Sequence, residues 1–382
     1  MLSAQTSLAE SVDGDEPRSE DGDDRRTEKP TANYYCLYMY QPGGGTQLTM
    51  DSDEASRENS GDTAYGEDFS LSLGDTNLQA EAEPELRSFV AKRLSRGAMF
   101  DGMGNVSSMD LGFPESSLGC YFCLIQQMAD PESESQSSEY VVCFLGGSEK
   151  GLDLFRLELD KYTEELKTML SPQLENLDSL IRPLLSSWYE VCVMPIQRVV
   201  NIFQDKLAYL LHAALSYSTV EVTNSDDRTR NDIARFLSSA SLQGLVQEGT
   251  MTSLCIAMTE RQHHTVTVDF QLGEPELVNA VSNRFCEEWM QFFSSCEGGS
   301  PFLFRQKLEN FKLKAIQDMN SLKRLIRQAE SSHYALFRCY NFLKNCGNGD
   351  ILLRMVKVEH AEMPEANSVV TVLEEFIQEE SV

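Results

Sequence analysis

Glu139-Tyr-Val-Val-Cys-Phe-Leu145, Gly146-Gly-Ser-Glu-Lys-Gly151 and Leu152-Asp-Leu-Phe-Arg-Leu-Glu-Leu-Asp-Lys-Tyr162 follow one another without interruption. The first piece is apolar at consecutive positions, which a strand tolerates only when both of its faces are covered. The second is a glycine-bounded turn. The third changes period: Leu152, Phe155, Leu159, Tyr162, Leu166 and Met169 step by three or four, the spacing of an amphipathic helix. Upstream, Cys120-Tyr-Phe-Cys-Leu-Ile125 is a second continuous apolar run, separated from Glu139 by a Ser/Glu-rich stretch. The two runs predict an antiparallel hairpin followed by a helix.

Further upstream, Tyr34-Tyr-Cys-Leu-Tyr-Met-Tyr40 reads as an aromatic-rich strand ended by Pro42-Gly43-Gly44-Gly45. Pro84-Glu85-Leu86 opens a helix with Leu86, Phe89, Val90 and Leu94 on one face, and Gly97 can close it. Downstream of residue 171 the pattern is mostly helical. One helix starts at Pro195 and carries Ile196, Val199, Phe203, Leu207 and Leu211; others are expected over 226–246, 276–293, 301–344 (one long helix or two with a bend) and 368–380. Residues 266–270 and 351–359 read as strands. The fold class is therefore α+β and helix-rich. A strand and hairpin-plus-helix module over 34–170, longin- or roadblock-like by analogy, is followed by a helix-rich domain over 171–382 with minor strands.

Charge divides the chain differently. The 382 residues carry a formal charge of −28. Residues 1–85 hold 20 of the acids and 5 of the bases, over half of that charge in under a quarter of the length. Residues 1–33 read as a disordered acidic tail and 42–83 as a disordered acidic insertion in the module, because few apolar side chains offset the entropy of ordering. The overall sign argues against a nucleic-acid binder. Asp13, Asp15 and Glu16 precede the first basic residue, unlike a secretory signal or mitochondrial presequence, and no apolar run approaches the ~18 residues of a membrane span. A cytoplasmic protein, peripheral if it meets membrane, is the expectation.

The search for chemistry gives little. In the 146–151 turn, from Gly146 to Gly151, Lys150 precedes the second glycine and Leu152 follows, whereas a phosphate loop needs Lys-Ser or Lys-Thr after it; a turn with Ser148 starting the helix is the plainer account. Cys120-x-x-Cys123 has no second knuckle to complete a zinc site, and on a strand its two thiols point to opposite faces. The ten cysteines read as buried reduced thiols. His212 lies on an apolar helix as a satisfied core histidine, and His263-His264 in an exposed turn. No catalytic residue, metal site or cofactor is assigned. The exception to the acidic balance is 305–344, with nine bases against three acids. Arg305, Lys307, Lys312, Lys314, Lys323, Arg324 and Arg327 are the candidate partner-docking face, for an acidic protein patch, a phosphoinositide surface or the chain's own acidic tail. The competing account is a helix face that complements nearby acids.

The run 139–162 also closely resembles the Njmu-R proteins of vertebrates. So do Glu248-Gly-Thr-Met-Thr-Ser-Leu-Cys255, Asn283-Arg-Phe-Cys-Glu-Glu-Trp-Met290, Pro301-Phe-Leu-Phe-Arg-Gln-Lys-Leu-Glu-Asn-Phe-Lys-Leu-Lys-Ala-Ile-Gln-Asp318 and Leu343-Lys-Asn-Cys-Gly-Asn-Gly-Asp-Ile-Leu-Leu-Arg354. The likeness runs from Tyr34 to the last helix and is loosest in the acidic linkers. It implies a non-enzymatic subunit of a trafficking complex, partnered by a WD-repeat β-propeller protein and a FAM-ninety-one-type protein. The resemblance further implies that a golgin-bound TBC-domain adaptor is reached indirectly. It places the assembly at the trans-Golgi network and on cytoplasmic vesicles, in golgin-mediated capture of AP-one-derived vesicles, with a role in spermatogenesis. It brings no catalytic residues. The alternative is a nucleotide-dependent enzyme using the 146–151 turn.

Overall fold

The structure is a computed structural model that describes residues 33–42, 63–66, 69–111, 117–126, 139–170, 177–242, 265–295, 298–359 and 364–380. The predicted hairpin is β5 (Leu118–Gln126) and β6 (Glu139–Leu145), antiparallel with Phe122 opposite Cys143 and Ile125 opposite Tyr140. β1 (Tyr34–Pro42) pairs with the other edge of β6, Cys36 opposite Cys143. β2 (Thr63–Gly66), β3 (Phe69–Thr76) and β4 (Asn105–Met109) complete a six-stranded sheet ordered β2-β3-β1-β6-β5-β4. The continuous apolar runs thus occupy the centre of the sheet. Tyr38, Cys120, Phe122, Val141 and Cys143 face α1 (Glu83–Ser95), while Tyr35, Leu37, Tyr121, Cys123, Val142 and Phe144 face the later helices. Cys120 and Cys123 fall on opposite faces, as strand geometry requires.

β2 and β3 correct the expectation of a disordered insertion across 42–83. Phe69 and Leu71 alternate with serines and bury against the α1 side of the sheet; Tyr40 and Phe69 rings lie 5.6 Å apart. Surrounding acids masked a period-2 pattern only a few residues long. Residues 43–62 and the tail 1–32 lie outside the described residues. Pro84 lies in the first turn of α1, as expected, and Gly97 adopts φ +61° just past its end.

After β6, Ser148 caps α2 (Glu149–Asp153) by accepting a hydrogen bond from the Gly151 amide at 3.1 Å. α3 (Arg156–Met169) continues the same apolar face, except that Met169 is exposed. Then follow α4 (Leu177–Trp188), a π-helical turn at Tyr189–Val193 and α5 (Pro195–Phe203). A break at Gln204, φ +44°, leads to α6 (Leu207–Ser216), so the helix expected from Pro195 is two. β7 (Val220–Thr223), α7 (Asp227–Ala240), β8 (Val266–Asp269) and β9 (Glu276–Val278) give a second, three-stranded sheet ordered β7-β8-β9.

Five helices close the chain: α8 (Arg284–Ser294), α9 (Pro301–Ala329), α10 (His333–Cys346), α11 (Gly349–Glu359) and α12 (Pro364–Glu380). Two expectations are corrected here. The helix expected over 276–293 starts only at Arg284: Leu277 pairs with Val268 in the sheet, Asn279 turns the chain at φ +58°, and the Asn283 side chain caps the Cys286 amide at 2.9 Å. Residues 351–359 are helix, not strand. Gly347 at φ +80° closes α10, and the Asn348 carbonyl accepts from Ile351 and Leu352 to start the next turn. The buried set Ile351, Leu352, Met355 and Val356 repeats at four, which a short apolar run does not distinguish from a strand.

The expected boundary at 170/171 separates no cores. One hydrophobic cluster runs from Tyr35 and Phe144 in the sheet to Val370 and Leu373 in α12. Its aromatic spine is Tyr121–Phe144 (6.0 Å), Phe144–Trp188 (5.2 Å), Trp188–Tyr189 (5.4 Å), Tyr189–Phe302 (6.4 Å) and Phe302–Phe155 (5.7 Å), leading from the central strands into α9.

Candidate partner-docking surface

The basic segment 305–344 occupies α9 and α10. Ser300 accepts from the Leu303 amide and Pro301 fills the first turn, where a missing N–H costs nothing. Ser332 caps the second helix, so 301–344 is two helices with a bend. α9 has 29 residues, a rod of about 43 Å. It packs against α10, α11, α12, α5, α7, α2 and α8, which leaves one narrow face to solvent.

That burial redistributes the predicted docking residues. Arg305 is only 4% exposed: Nη1 donates to Glu158 Oε1 at 2.8 Å, Nε lies 3.1 Å from Glu309 Oε1, and the guanidinium sits 5.4 Å from the centre of the Phe155 ring. Lys312 reaches the same Glu309 oxygen at 2.8 Å. Burial pushes the Lys312 ammonium below its ordinary range, against the opposing pull of Glu309. Two acids and two bases thus neutralise one another between α3 and α9, and Ser239 of α7 adds a hydrogen bond to Glu158. Lys307 is buried, donating to the Phe292 carbonyl with its ammonium 4.0 Å from the Phe292 ring centre. Lys314 pairs with Asp318, and Lys323 pairs with Glu359 of α11 at 2.6 Å.

Of the seven residues expected to form one docking face, only Arg324 and Arg327 are exposed and make no ion pair among the described residues. The expectation is corrected for Arg305, Lys307 and Lys312, which are interior, and for Lys314 and Lys323, which are neutralised. Glu309 and Asp318 do part of this from within the segment, and Glu158 and Glu359 do the rest from outside it, where a count along 305–344 cannot include them.

Other sequence candidates resolve into structure. Phe302 of α9 lies against the 146–151 turn: a Cβ placed on Gly147 would meet the Phe302 ring at 2.5 Å, and one on Gly151 at 3.1 Å. The concave side that a phosphate would need holds an aromatic ring. Burial pushes the Cys36 thiol up to about 12 and Cys123 to about 11, and drives Cys143 well above its ordinary value. These thiols stay protonated and unreactive. Among the described residues no three His, Cys, Asp or Glu side chains converge on a metal position, and no helix is long and apolar enough to cross a membrane. His263 and His264 lie outside the described residues.

His212 is buried in α6, with Nε2 2.9 Å from Asp350 Oδ2 in the first turn of α11. Asp350 Oδ1 accepts from Asn283, whose own side-chain oxygen caps α8. This acid–imidazole pair is a clasp joining α6, α8 and α11. Burial alone would raise the Asp350 carboxyl, but the hydrogen bonds and charge of His212 and the Asn283 amide hold it below its ordinary 3.8. A carboxyl that titrates lower when folded contributes its stability fully above the unfolded value and loses it as the pH falls through the folded one. We expect acidification from pH 5 to pH 3 to destabilise the wild type more than Asp350→Asn. The carboxylate is partly exposed, so the gap should stay within about 1 kcal/mol. Paired urea titrations across that range measure it; equal losses in the two proteins would contradict the clasp.

An apolar concavity beside the basic helix was not foreseen. Phe285, Trp289 and Phe292 of α8 and Asn310, Leu313 and Gln317 of α9 line an open groove of about 650 Å³. The fully buried Phe311 backs these aromatics, stacked on Phe285 at 5.4 Å and edge-on to Trp289 at 5.7 Å. Phe292 and Leu313 stay about half exposed, at 49% and 47%. The signal was present in the sequence: an eleven-residue helix with aromatics on both faces has more apolar surface than one core contact can cover.

The comparisons with known proteins converge on one family. The model of the Njmu-R1-like protein family matches residues 35–379. Protein Njmu-R1 of Mus musculus is 60% identical over 387 aligned residues, covering 98% of this chain and 98% of that protein.

Proposed function

This chain belongs to the Njmu-R1-like protein family, and on that premise we propose that it is a non-enzymatic subunit of a multi-protein complex. The complex assists golgin-mediated tethering and capture of AP-one-derived vesicles at the trans-Golgi network, with a role in spermatogenesis. Its direct partners are a WD-repeat β-propeller protein and a FAM-ninety-one-type protein, which connect it to a golgin-bound TBC-domain adaptor. The chain sits peripherally, on the cytoplasmic side of the network and its vesicles. The observation that carries the docking role is the aromatic groove between α8 and α9, half-exposed apolar surface of the kind that anchors protein partners. The β-β-β-α-β-β-β succession, with helices on both faces of an antiparallel sheet, keeps the analogy to the longin- and roadblock-like scaffolds common in trafficking assemblies at the level of architecture alone.

The test is isolation of the tagged full-length chain from cells at moderate ionic strength, with protein quantities read by mass spectrometry. The proposal expects the WD-repeat and FAM-ninety-one-type polypeptides in near-stoichiometric amounts. Recovery of the chain as a lone monomer under those conditions would overturn it.

A further inference from the structure

We infer that the solvent face of α9 is a docking strip for an acidic amphipathic helix of a partner protein, whose bulky apolar side chain enters the groove against Trp289 and Phe292. This rests on the docking role proposed above and assigns it a place and a chemistry.

The exposed row on α9 is Gln306, Asn310, Leu313, Gln317 and Asn320, continuing to Arg324 and Arg327. The steps alternate four and three, the spacing of a straight seam along a helix rather than a random surface. From Gln306 to Arg327 the seam is about 31 Å long, nearly six turns. On the opposite side of the helix Phe304, Leu308, Phe311, Ala315, Met319, Leu322 and Ile326 are buried in the core, while Leu303, Lys314 and Gln328 flank the row on its exposed side. From Gln306 to Asn320 the row is amides and leucine, the composition of an interface, where Lys and Glu are depleted; the charges beside it are already matched, Lys314 by Asp318 and Glu288 across the groove by Arg284.

The groove opens directly onto the seam, because Asn310, Leu313 and Gln317 line both. An occupant of the seam can therefore insert a Leu, Met or Phe beside Trp289 without changing direction, the helix-in-groove mode of recognition. The sign of the occupant follows from the end of the seam. Arg324 and Arg327 are exposed and make no ion pair among the described residues. Two cations one turn apart at the end of a strip of amides and leucine call for acids, and screening over about 8 Å limits the effect to groups in near contact. Gln317 and Arg324 are seven residues apart, so the partner's acids should lie about two turns from its apolar anchor.

The experiment places a photo-cross-linking residue in the full-length chain, Leu313→benzoylphenylalanine or Asn320→benzoylphenylalanine, with Glu221→benzoylphenylalanine on β7 as the remote control. After irradiation in cells, the assembly is purified and cross-linked peptides are sequenced. One partner segment should be captured from both seam positions, helical in pattern, with its acids nearer the adduct at 320. Arg324→Glu/Arg327→Glu should lower recovery of that partner at least tenfold, while Arg324→Lys/Arg327→Lys keeps most of it; circular dichroism melts check that both fold. The inference is overturned by a basic or uncharged captured segment, by a second copy of this chain or one of its own segments, or by seam adducts no stronger than the control. Adducts absent while partners co-purify sink the strip alone. Absence of any partner sinks the complex itself.

Discussion

Arg305→Ala is expected to destabilise the protein by about 3–5 kcal/mol, the usual cost of removing one member of a buried ionic cluster. The residue contacts Glu158 and Glu309 at once, and its loss leaves two carboxylates sharing Lys312 alone, with Phe155 stripped of its cation. The effect should appear as a lower urea midpoint at pH 7. Replacing Glu158, Arg305, Glu309 and Lys312 together by apolar residues of similar volume should restore most of the loss, since a satisfied cluster is close to neutral against a hydrophobic one. A single-site loss below about 1 kcal/mol would mean that the cluster is solvated and that Arg305 was available for docking after all.

Trp188→Ala is the second large effect, about 3–5 kcal/mol for a fully buried aromatic. Trp188 stacks on Phe144 of the central strand and meets Tyr189 edge-on, so it joins the sheet to the helical half. The chain contains two tryptophans, and in this variant Trp289 alone reports from the groove. If sheet and helices share one core, unfolding followed by Trp289 fluorescence and by far-ultraviolet circular dichroism will move together to the same lower midpoint. Separate midpoints would restore the two-domain division at 170/171.

What the sequence made legible was whatever is local. The hairpin and the helix after it are written in period and turn chemistry within fifty residues, and the structure has them in place. The Ser148 cap and the helix start at Pro195 were legible for the same reason. β3 was hidden because Phe69, Leu71 and Leu73 alternate only briefly inside an acid-rich stretch. α11 was misread because Ile351-Leu352-Leu353 satisfies a strand and a helix equally, and only its packing against α9, α10 and α12 decides. The docking face was misassigned for a deeper reason. Charge counted along one element ignores acids delivered by others, and Glu158 lies 147 residues from Arg305. The groove of Trp289, Phe292 and Leu313 forms only where two helices meet, and its one trace in the sequence is the surplus of aromatics on α8.

Amide hydrogen exchange of the free chain against the assembly isolated from cells tests the central claim most directly. If this protein works by presenting the α8–α9 face to a partner, assembly will slow exchange along residues 288–292 and 310–327, leaving β5 and β6, already buried, unchanged. Unaltered exchange along that face, with protection elsewhere, would contradict it.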